Sequence, residues 1–142
     1  MPSRPNDLFA DTSGWAEVVD DTLPFHTRAV SLSDQAVRAG GRLVTTNWVL
    51  AEFTALLTSP LRFPKPQQIQ LLRNLRADPA VEGVHLDPVL EADAWQLWEN
   101  RPDKTWSLVD CASFEVMRQR GLTDALTSDH HFDQAGFARL LK

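Results

Sequence analysis

Short apolar runs recur along the chain, separated by longer stretches in which apolar residues return every three or four positions. The first pattern is typical of short buried strands, and the second is typical of amphipathic helices. Thr12, Ser13 and Gly14 are predicted to interrupt the chain after the first strand. The predicted strands are Leu8–Ala10, Leu43–Thr45, Val84–Leu86 and Ala125–Thr127, with a fifth short strand within Phe137–Leu141.

Helix boundaries are marked by capping and breaking residues. A helix over Phe25–Ala39 is predicted to stop at the Gly40–Gly41 pair, and the three prolines of Ser59–Pro66 predict a loop or a sharp corner. Four more helices are predicted. One is capped by Thr46 or Asn47, and one spans Gln67–Arg76. One is capped by Asp87 with Pro88 in its first turn, and the last spans Ser107–Arg120 and is closed by Gly121.

The alternation of strands and helices favours an α/β fold. We expect a three-layer sandwich in which a short, largely parallel central sheet is flanked by helices. The chain has 142 residues without a repeat or a low-complexity tract, so residues 1–142 are expected to form a single domain. In sheets of this type, functional sites form beyond the carboxyl ends of the strands.

Four acidic residues lie where a short apolar run meets a helix. They are Asp11, Glu52, Asp110 and Asp129. An ionised carboxylate is costly to bury, but acids at such junctions can converge at the point where strands end. A ring of carboxylate oxygens is the ligand set that Mg²⁺ or Mn²⁺ prefers. The pattern therefore indicates metal-dependent phosphodiester hydrolysis, in which the metal activates the attacking water.

Each acid also has a purely structural interpretation, and the residues alone leave both interpretations open. Asp110 follows Ser107 at the spacing of a capping box, so it could serve only the start of its helix. Asp11 and Asp129 could occupy turns or cap helical turns. Glu52 falls at the edge of the apolar stripe of its helix and could belong to a solvated flank. The functional interpretation rests on the joint placement of the four acids.

Composition narrows the class of protein. A hydrophobic content of 43% and a charged content of 23% are typical of a soluble globular protein. The single cysteine, Cys111, excludes an internal disulfide and fits a reducing compartment. No signal peptide or membrane-spanning apolar segment is visible, so we expect a cytoplasmic protein that does not bind membranes. The net charge of -5 argues against broad electrostatic binding of nucleic acid, but bound divalent ions would reverse the field at an acidic site.

Several other side chains carry weaker predictions. His130 and His131 resemble a metal-binding pair, but adjacent helix residues point about 100° apart, which argues against a zinc site. His131 is expected to be structural or to lie at the rim of the site. Trp95 and Trp98 are expected in the core, with a partner or dimer face as the alternative, and Cys111 is expected to be a small buried hydrophobe. Four hydroxyls near the acids could hydrogen-bond the carboxylates or a phosphate, but capping and turn roles are favoured for each; they are Thr12, Ser13, Ser107 and Thr127.

The second half of the chain carries the most specific motifs. Residues 105–137 contain Ser-Leu-x-Asp-Cys, then Met-Arg-x-Arg-Gly, then Ala-Leu-Thr-x-Asp-x-His-Phe and Gly-Phe. Together with Asp11, and with Glu52 in a helix behind a short strand, this order resembles a PIN domain, most closely the VapC-type toxins of bacterial toxin–antitoxin pairs. The resemblance spans nearly the whole chain, and the family's acidic positions fall on Asp11, Glu52, Asp110 and Asp129.

The resemblance implies a PIN-like three-layer sandwich and a ribonuclease that depends on Mg²⁺ or Mn²⁺. It also implies an RNA substrate, an antitoxin protein that neutralises the enzyme, and a homodimer. On this assignment Asp11 and Asp129 are the most direct metal ligands, and Asp110 binds the same ion or a second one. Glu52 acts through water or orients the attacking water. Crowding of the four charges should raise some of their pKa values until metal binds.

Two alternatives from other functional classes stay open. One is a catalytically silent PIN-like scaffold that only binds a partner, and the other is a Mg²⁺-dependent phosphatase of small molecules that uses the same acids. An aspartic protease is suggested by the run from Asp11 to Gly14, but that fold is almost wholly β, whereas this chain is predicted to be mostly helical.

Overall fold

The computed structural model describes residues 2–142, which fold around a five-stranded sheet. The strands, numbered along the chain, are β1 (Leu8–Ala10), β2 (Leu43–Thr46), β3 (Val81–Val84), β4 (Asp124–Leu126) and β5 (Ala138–Arg139). They lie in the order β3-β2-β1-β4-β5, and every neighbouring pair is parallel. The parallel arrangement predicted from the sequence is confirmed, and the strands all end at the same edge of the sheet.

Helices connect these strands in the α/β manner that the sequence predicts. Within residues 2–142 they are α1 (Thr12–Val19), α2 (His26–Arg38), α3 (Asn47–Thr58), α4 (Lys65–Ala77), α5 (Pro88–Asn100), α6 (Leu108–Arg120) and α7 (His131–Gln134). Helices α2 to α6 occupy the five predicted helical stretches, with ends that differ by a few residues. The predicted α/β class, with a central sheet flanked by helices, is therefore confirmed.

Helix α1 was not predicted, because Thr12, Ser13 and Gly14 were expected to interrupt the chain. Instead the helix starts directly after β1, and the backbone N–H of Trp15 donates to the carbonyl of Asp11 at 3.0 Å. A side chain at Gly14 would collide with the carbonyl group of Leu126 in β4. The glycine therefore permits a close approach between helix and strand, and it does not act as a breaker here.

Two strands are shifted from their predicted positions. Strand β3 occupies Val81–Val84, whereas the sequence predicted Val84–Leu86, because hydrogen bonding to β2 selects the earlier segment. The backbone N–H of Leu86 donates to Oδ1 of Asn47 at 2.9 Å and takes no part in the sheet. Strand β4 begins one residue earlier than predicted, at Asp124.

A cluster of aromatic rings holds α7 against the sheet and α6. Phe132 is fully buried, with its ring centroid 6.3 Å from that of Phe9 in β1 and 4.9 Å from that of Phe114 in α6. Cys111, also in α6, is buried as predicted, and burial raises the pKa of its thiol to about 11. This packing fixes the chain segment that follows β4, in which Asp129 lies.

The expectation that Trp95 and Trp98 lie in the core is wrong. Their exposed fractions are 44% and 46%, and their rings meet edge to face with centroids 5.7 Å apart. Helix α5 packs against α6 and buries Ala94, which leaves the tryptophans on another face. In the part of the chain described, none of the helices combines the length and the apolar character needed to cross a membrane.

Candidate metal centre

The four candidate acids lie where the parallel strands end. Asp11 directly follows β1, and Asp129 follows β4, which is paired with β1. Asp110 lies in the first turn of α6. Glu52 lies in the second turn of α3, the helix that continues directly from β2. The topology of the sheet therefore brings together four residues that are far apart in the sequence.

Asp11 is the most deeply buried of the four, with an exposed fraction of 4%. The hydroxyl of Thr127 donates to its Oδ2 at 3.1 Å. Within residues 2–142, no basic side chain forms an ion pair with it. Burial raises the pKa of Asp11 to about 7; the backbone N–H of Thr12 opposes the rise, and the charges of Asp110 and Glu52 add to it. The predicted crowding thus contributes to the raised pKa, but burial contributes most.

Thr127 is a fully buried hydroxyl that links two of the acids. The hydroxyl hydrogen of Thr127 is already used in the hydrogen bond to Asp11. In the 3.0 Å contact between Ser13 Oγ and Thr127 Oγ1, Ser13 is therefore the donor. The backbone N–H of Asp129 donates to Thr127 Oγ1 at 3.0 Å, and that of Ser128 donates to Ser13 Oγ at 3.0 Å. One connected set of hydrogen bonds therefore fixes the Asp11 carboxylate relative to the segment that carries Asp129.

Asp110 caps its helix and also faces the site. Ser107 and Asp110 form a capping box, with hydrogen bonds of 3.0 Å to Ser107 Oγ and 3.1 Å to Asp110 Oδ2. The same Oδ2 lies 3.0 Å from Nδ1 of His131. Burial raises the pKa of Asp110; hydrogen bonds from Ser107 and His131 oppose the rise, and the charge of Asp129 adds to it. The capping interpretation is correct, and it does not remove the carboxylate from the acidic cluster.

Glu52 reaches the cluster from the solvent side of α3. The residue is exposed, whereas its neighbour Phe53 is fully buried, in agreement with its predicted place beside the apolar stripe. Thr12 Oγ1 donates to Glu52 Oε1 at 2.5 Å, and Thr12 directly follows Asp11. The charge of Glu52 also raises the pKa of Asp11, so these two carboxylates interact through space. Thr12 lies between them, because its backbone N–H interacts with Asp11 and its hydroxyl with Glu52.

His131 lies between two acids rather than at the rim of the site. Its Nδ1 is 3.0 Å from Oδ2 of Asp110 and 3.4 Å from Oδ1 of Asp129. The ring centroids of His130 and His131 are 4.6 Å apart. Each of these histidines, and Asp129, offers one potential ligand atom, and these three atoms lie within 4.8 Å of one another. The expectation that the two histidines diverge as on a regular helix is wrong, because α7 has four residues and His130 precedes it.

Three hydroxyls that were assigned to caps and turns belong to the acidic cluster. Thr12 bonds Glu52, while Ser13 and Thr127 bond each other beside Asp11. The alternative role, hydrogen bonding beside the carboxylates, therefore applies to these three, each of which lies one or two residues from a candidate acid. Ser107 caps α6, as predicted.

Comparisons with known proteins identify the family. The family model for the PIN domain matches residues 8–138. The 23S rRNA-specific endonuclease VapC20 of Mycobacterium tuberculosis, in both the CDC 1551 / Oshkosh and the ATCC 25618 / H37Rv strains, is 29% identical over 133 residues, which are 94% of this chain and 97% of that protein. The crystal structure of M. tuberculosis VapC20, described as a sarcin-ricin loop cleaving toxin, matches with a TM-score of 0.81 and 28% identity, over 96% of this chain and 100% of that chain. The chain therefore belongs to the PIN-domain family.

Proposed function

We propose that this protein is a divalent-metal-dependent endoribonuclease of the VapC type and the toxin of a toxin–antitoxin pair. The observation that carries the proposal is the convergence of four carboxylates at the end of a PIN-domain sheet. The similarity to VapC20, which is named an rRNA-specific endonuclease, supports hydrolysis of a phosphodiester bond in RNA. The protein would act in the cytoplasm, where ribosomal RNA lies, and residues 1–142 would form a single PIN-like domain.

The acidic cluster fits a divalent cation. A buried carboxylate needs either a proton or a compensating cation, and no basic residue in the described part of the chain pairs with Asp11. Carboxylate oxygens suit Mg²⁺ and Mn²⁺. In our assignment Asp11 and Asp129 hold the ion directly, Asp110 binds the same ion or a second one, and Glu52 contributes through water.

When bound, the ion would lower the pKa of a water molecule and offset the charge that develops on the phosphate. The protein's own contribution is to restrain the ligand oxygens before the RNA arrives. The pair of Ser13 and Thr127 fixes Asp11, and Thr12 holds Glu52. The capping box fixes Asp110. Because these groups are already ordered, less ordering remains to be done during the reaction.

We propose that the RNA backbone contacts α4 and the loop before it. The whole chain has a net charge of -5, but residues 59–77 contain four basic residues and no acidic one. All four are exposed, and none forms an ion pair within residues 2–142. They are Arg62, Lys65, Arg73 and Arg76. Gln68 of α4 donates to Thr58 of α3 at 3.2 Å, so this basic segment is tied to the helix that carries Glu52. Such a surface suits phosphate groups.

The test is cleavage of labelled RNA that contains a sarcin-ricin loop, in Mg²⁺, in Mn²⁺ and in EDTA, beside a generic phosphomonoester. We expect RNA cleavage with either ion and none in EDTA. Asp129→Asn should abolish the activity, because it removes a charged ligand oxygen, whereas Asp21→Asn, at an exposed acid outside the cluster, should leave it unchanged. Hydrolysis of the phosphomonoester alone would indicate a phosphatase. If the protein bound metal but hydrolysed neither substrate, it would be a silent scaffold.

The proposed partners follow from the chemistry of the surface. An antitoxin would place an Arg near Asp11 and Asp129, since a planar guanidinium pairs with carboxylates in a bidentate manner. An apolar segment of the same partner would pack in a neighbouring groove. A homodimer would bury the exposed pair of Trp95 and Trp98. Light scattering at micromolar concentration tests the dimer, and a stable monomer would contradict it.

A further inference from the structure

His131 is the only nitrogen-bearing side chain of the described residues that contacts two of the candidate acids. Its Nδ1 lies 3.0 Å from Oδ2 of Asp110 and 3.4 Å from Oδ1 of Asp129. Its side chain is mostly buried, with an exposed fraction of 17%. Its own backbone N–H donates to the same oxygen of Asp129 at 2.9 Å, which limits how far the residue can move from that carboxylate.

These separations match those between neighbouring ligands of one divalent ion. Bonds of about 2.1 Å place two adjacent ligand atoms about 3.0 Å apart at the right angle of an octahedral ion, and a moderately wider angle places them about 3.4 Å apart. The two distances from Nδ1 to the carboxylate oxygens fall on these values. The imidazole is therefore placed where a third donor atom would stand beside Asp110 and Asp129.

The outer nitrogen of the ring also has a partner. Nε2 of His131 lies 3.3 Å from Oγ1 of Thr105. A histidine that binds a metal usually donates its other ring N–H to a neighbouring acceptor, which fixes the tautomer and the orientation of the ring. In the metal-free protein Nδ1–H donates to Asp110 Oδ2. With a cation at the carboxylates the ring proton would instead be on Nε2, where Thr105 can accept it, and the lone pair of Nδ1 would face the ion.

We propose that His131 is a ligand of the metal centre through Nδ1, and that this nitrogen makes the centre select Mn²⁺ over Mg²⁺. The inference rests on the proposed function, because it requires a cation at the carboxylates. Mg²⁺ favours oxygen ligands, whereas imidazole nitrogen favours the first-row transition metals, so one nitrogen donor in an oxygen site shifts the relative affinities.

His130 supplies a matched control. It is the adjacent residue of the same type, but its side chain has an exposed fraction of 65%, and its Nδ1 is 3.7 Å from Oδ1 of Asp129. Among the described residues, no second acid lies in ion-pair range of it. Substitution of His130 changes the same local charge and composition without removing the nitrogen that touches both acids.

The experiment compares the wild-type chain with His131→Gln and His130→Gln. Glutamine keeps an N–H donor that could replace a simple hydrogen bond to Asp110, but its amide nitrogen cannot bind a metal. Calorimetry would give the affinities for Mn²⁺ and Mg²⁺. Pulsed electron paramagnetic resonance of bound Mn²⁺ would report directly on a coordinated ¹⁴N. Circular dichroism in EDTA would check that each variant is folded.

We expect ¹⁴N coupling to Mn²⁺ in the wild type and in His130→Gln, and its loss in His131→Gln. The affinity for Mn²⁺ should fall by about tenfold or more in His131→Gln, while the affinity for Mg²⁺ changes much less. Wild-type protein that binds Mn²⁺ and cleaves RNA without ¹⁴N coupling would overturn this inference and leave the proposed function intact. Wild-type protein that binds neither ion would overturn both. The spectrum of the wild type decides the question even if a variant fails to fold.

Discussion

Replacing Asp11 by Asn should stabilise the metal-free protein while it removes activity. Asp11 is buried, and burial raises its pKa from the ordinary 3.8 to about 7. The folded state therefore holds this proton more tightly than the unfolded state does. The stability that comes from the protonated carboxyl is fully present below about pH 3.8, and it is lost as the pH rises through about 7. Asn carries no charge at any of these pH values.

The size of the effect follows from the two pKa values of Asp11. Each tenfold change in proton affinity corresponds to about 1.4 kcal/mol, so the ionised carboxylate costs the folded state about 4 kcal/mol at pH 8. At pH 5 part of this stability is already lost, because Asp11 is mostly ionised in the unfolded state and still protonated in the folded state. Between pH 5 and pH 8 the wild type should therefore lose about 3 kcal/mol of unfolding free energy that Asp11→Asn retains. The amide oxygen of Asn can still accept the hydrogen bond from Thr127.

Urea unfolding in EDTA at pH 5 and pH 8 measures this difference. Asp21→Asn is the control, because Asp21 is exposed and its substitution removes the same charge without burial. Between pH 5 and pH 8, the unfolding free energy of Asp21→Asn should change as much as that of the wild type. Addition of Mn²⁺ or Mg²⁺ should stabilise the wild type more than Asp11→Asn, because in the proposed site the ion binds the folded state through this carboxylate. If the wild type and Asp11→Asn lost equal stability between pH 5 and pH 8, the burial argument for Asp11 would be wrong.

Two further predictions concern the supports of the site and the proposed RNA surface. Thr127→Val should cost about 1–3 kcal/mol of unfolding free energy, since it leaves buried groups of Asp11 and Asp129 unpaired. It should also lower metal affinity by about 10–100-fold in calorimetry. Recovery in Thr127→Ser would tie both effects to the hydroxyl, whereas unchanged metal affinity in Thr127→Val would contradict the restraining role. Substitution of Arg73 and Arg76 by Glu should weaken RNA binding. The slope of the logarithm of the binding constant against the logarithm of the salt concentration should become shallower by about one to two. An unaltered slope would mean that the RNA contacts another surface.

The sequence predicts those parts of the fold and site that depend on local signals. The capping box at Ser107 and the closing Gly121 mark α6 from both ends, and the structure has the helix there. The positions of Asp11 and Asp129 after predicted strands were enough to place them at one edge of a parallel sheet. These features follow from capping chemistry and from periodicity, which involve only neighbouring residues.

The features that the sequence misses depend on tertiary contacts. Gly14 is not a breaker, because a strand distant in sequence passes close to it. Trp95 and Trp98 are exposed, because the packing of α5 uses another face. The place of His131 between two acids depends on the burial of the next residue in an aromatic cluster, which no local pattern reveals.

The capping box of Asp110 has a practical consequence for preparing an inactive variant. Removal of this side chain deletes a carboxylate and also the hydrogen bond that it accepts from the backbone N–H of Ser107 at the start of α6, and a hydrogen bond of this kind typically contributes about 1 kcal/mol. The Asp11 side chain forms no capping hydrogen bond to α1, although the backbone N–H of Thr12 interacts with its carboxylate. An inactive protein made at Asp110 would thus lose a helix-capping bond that one made at Asp11 keeps, which favours the Asp11 variant for crystallisation with uncleaved RNA. Which carboxylate is removed therefore affects the local support of a helix as well as the loss of activity.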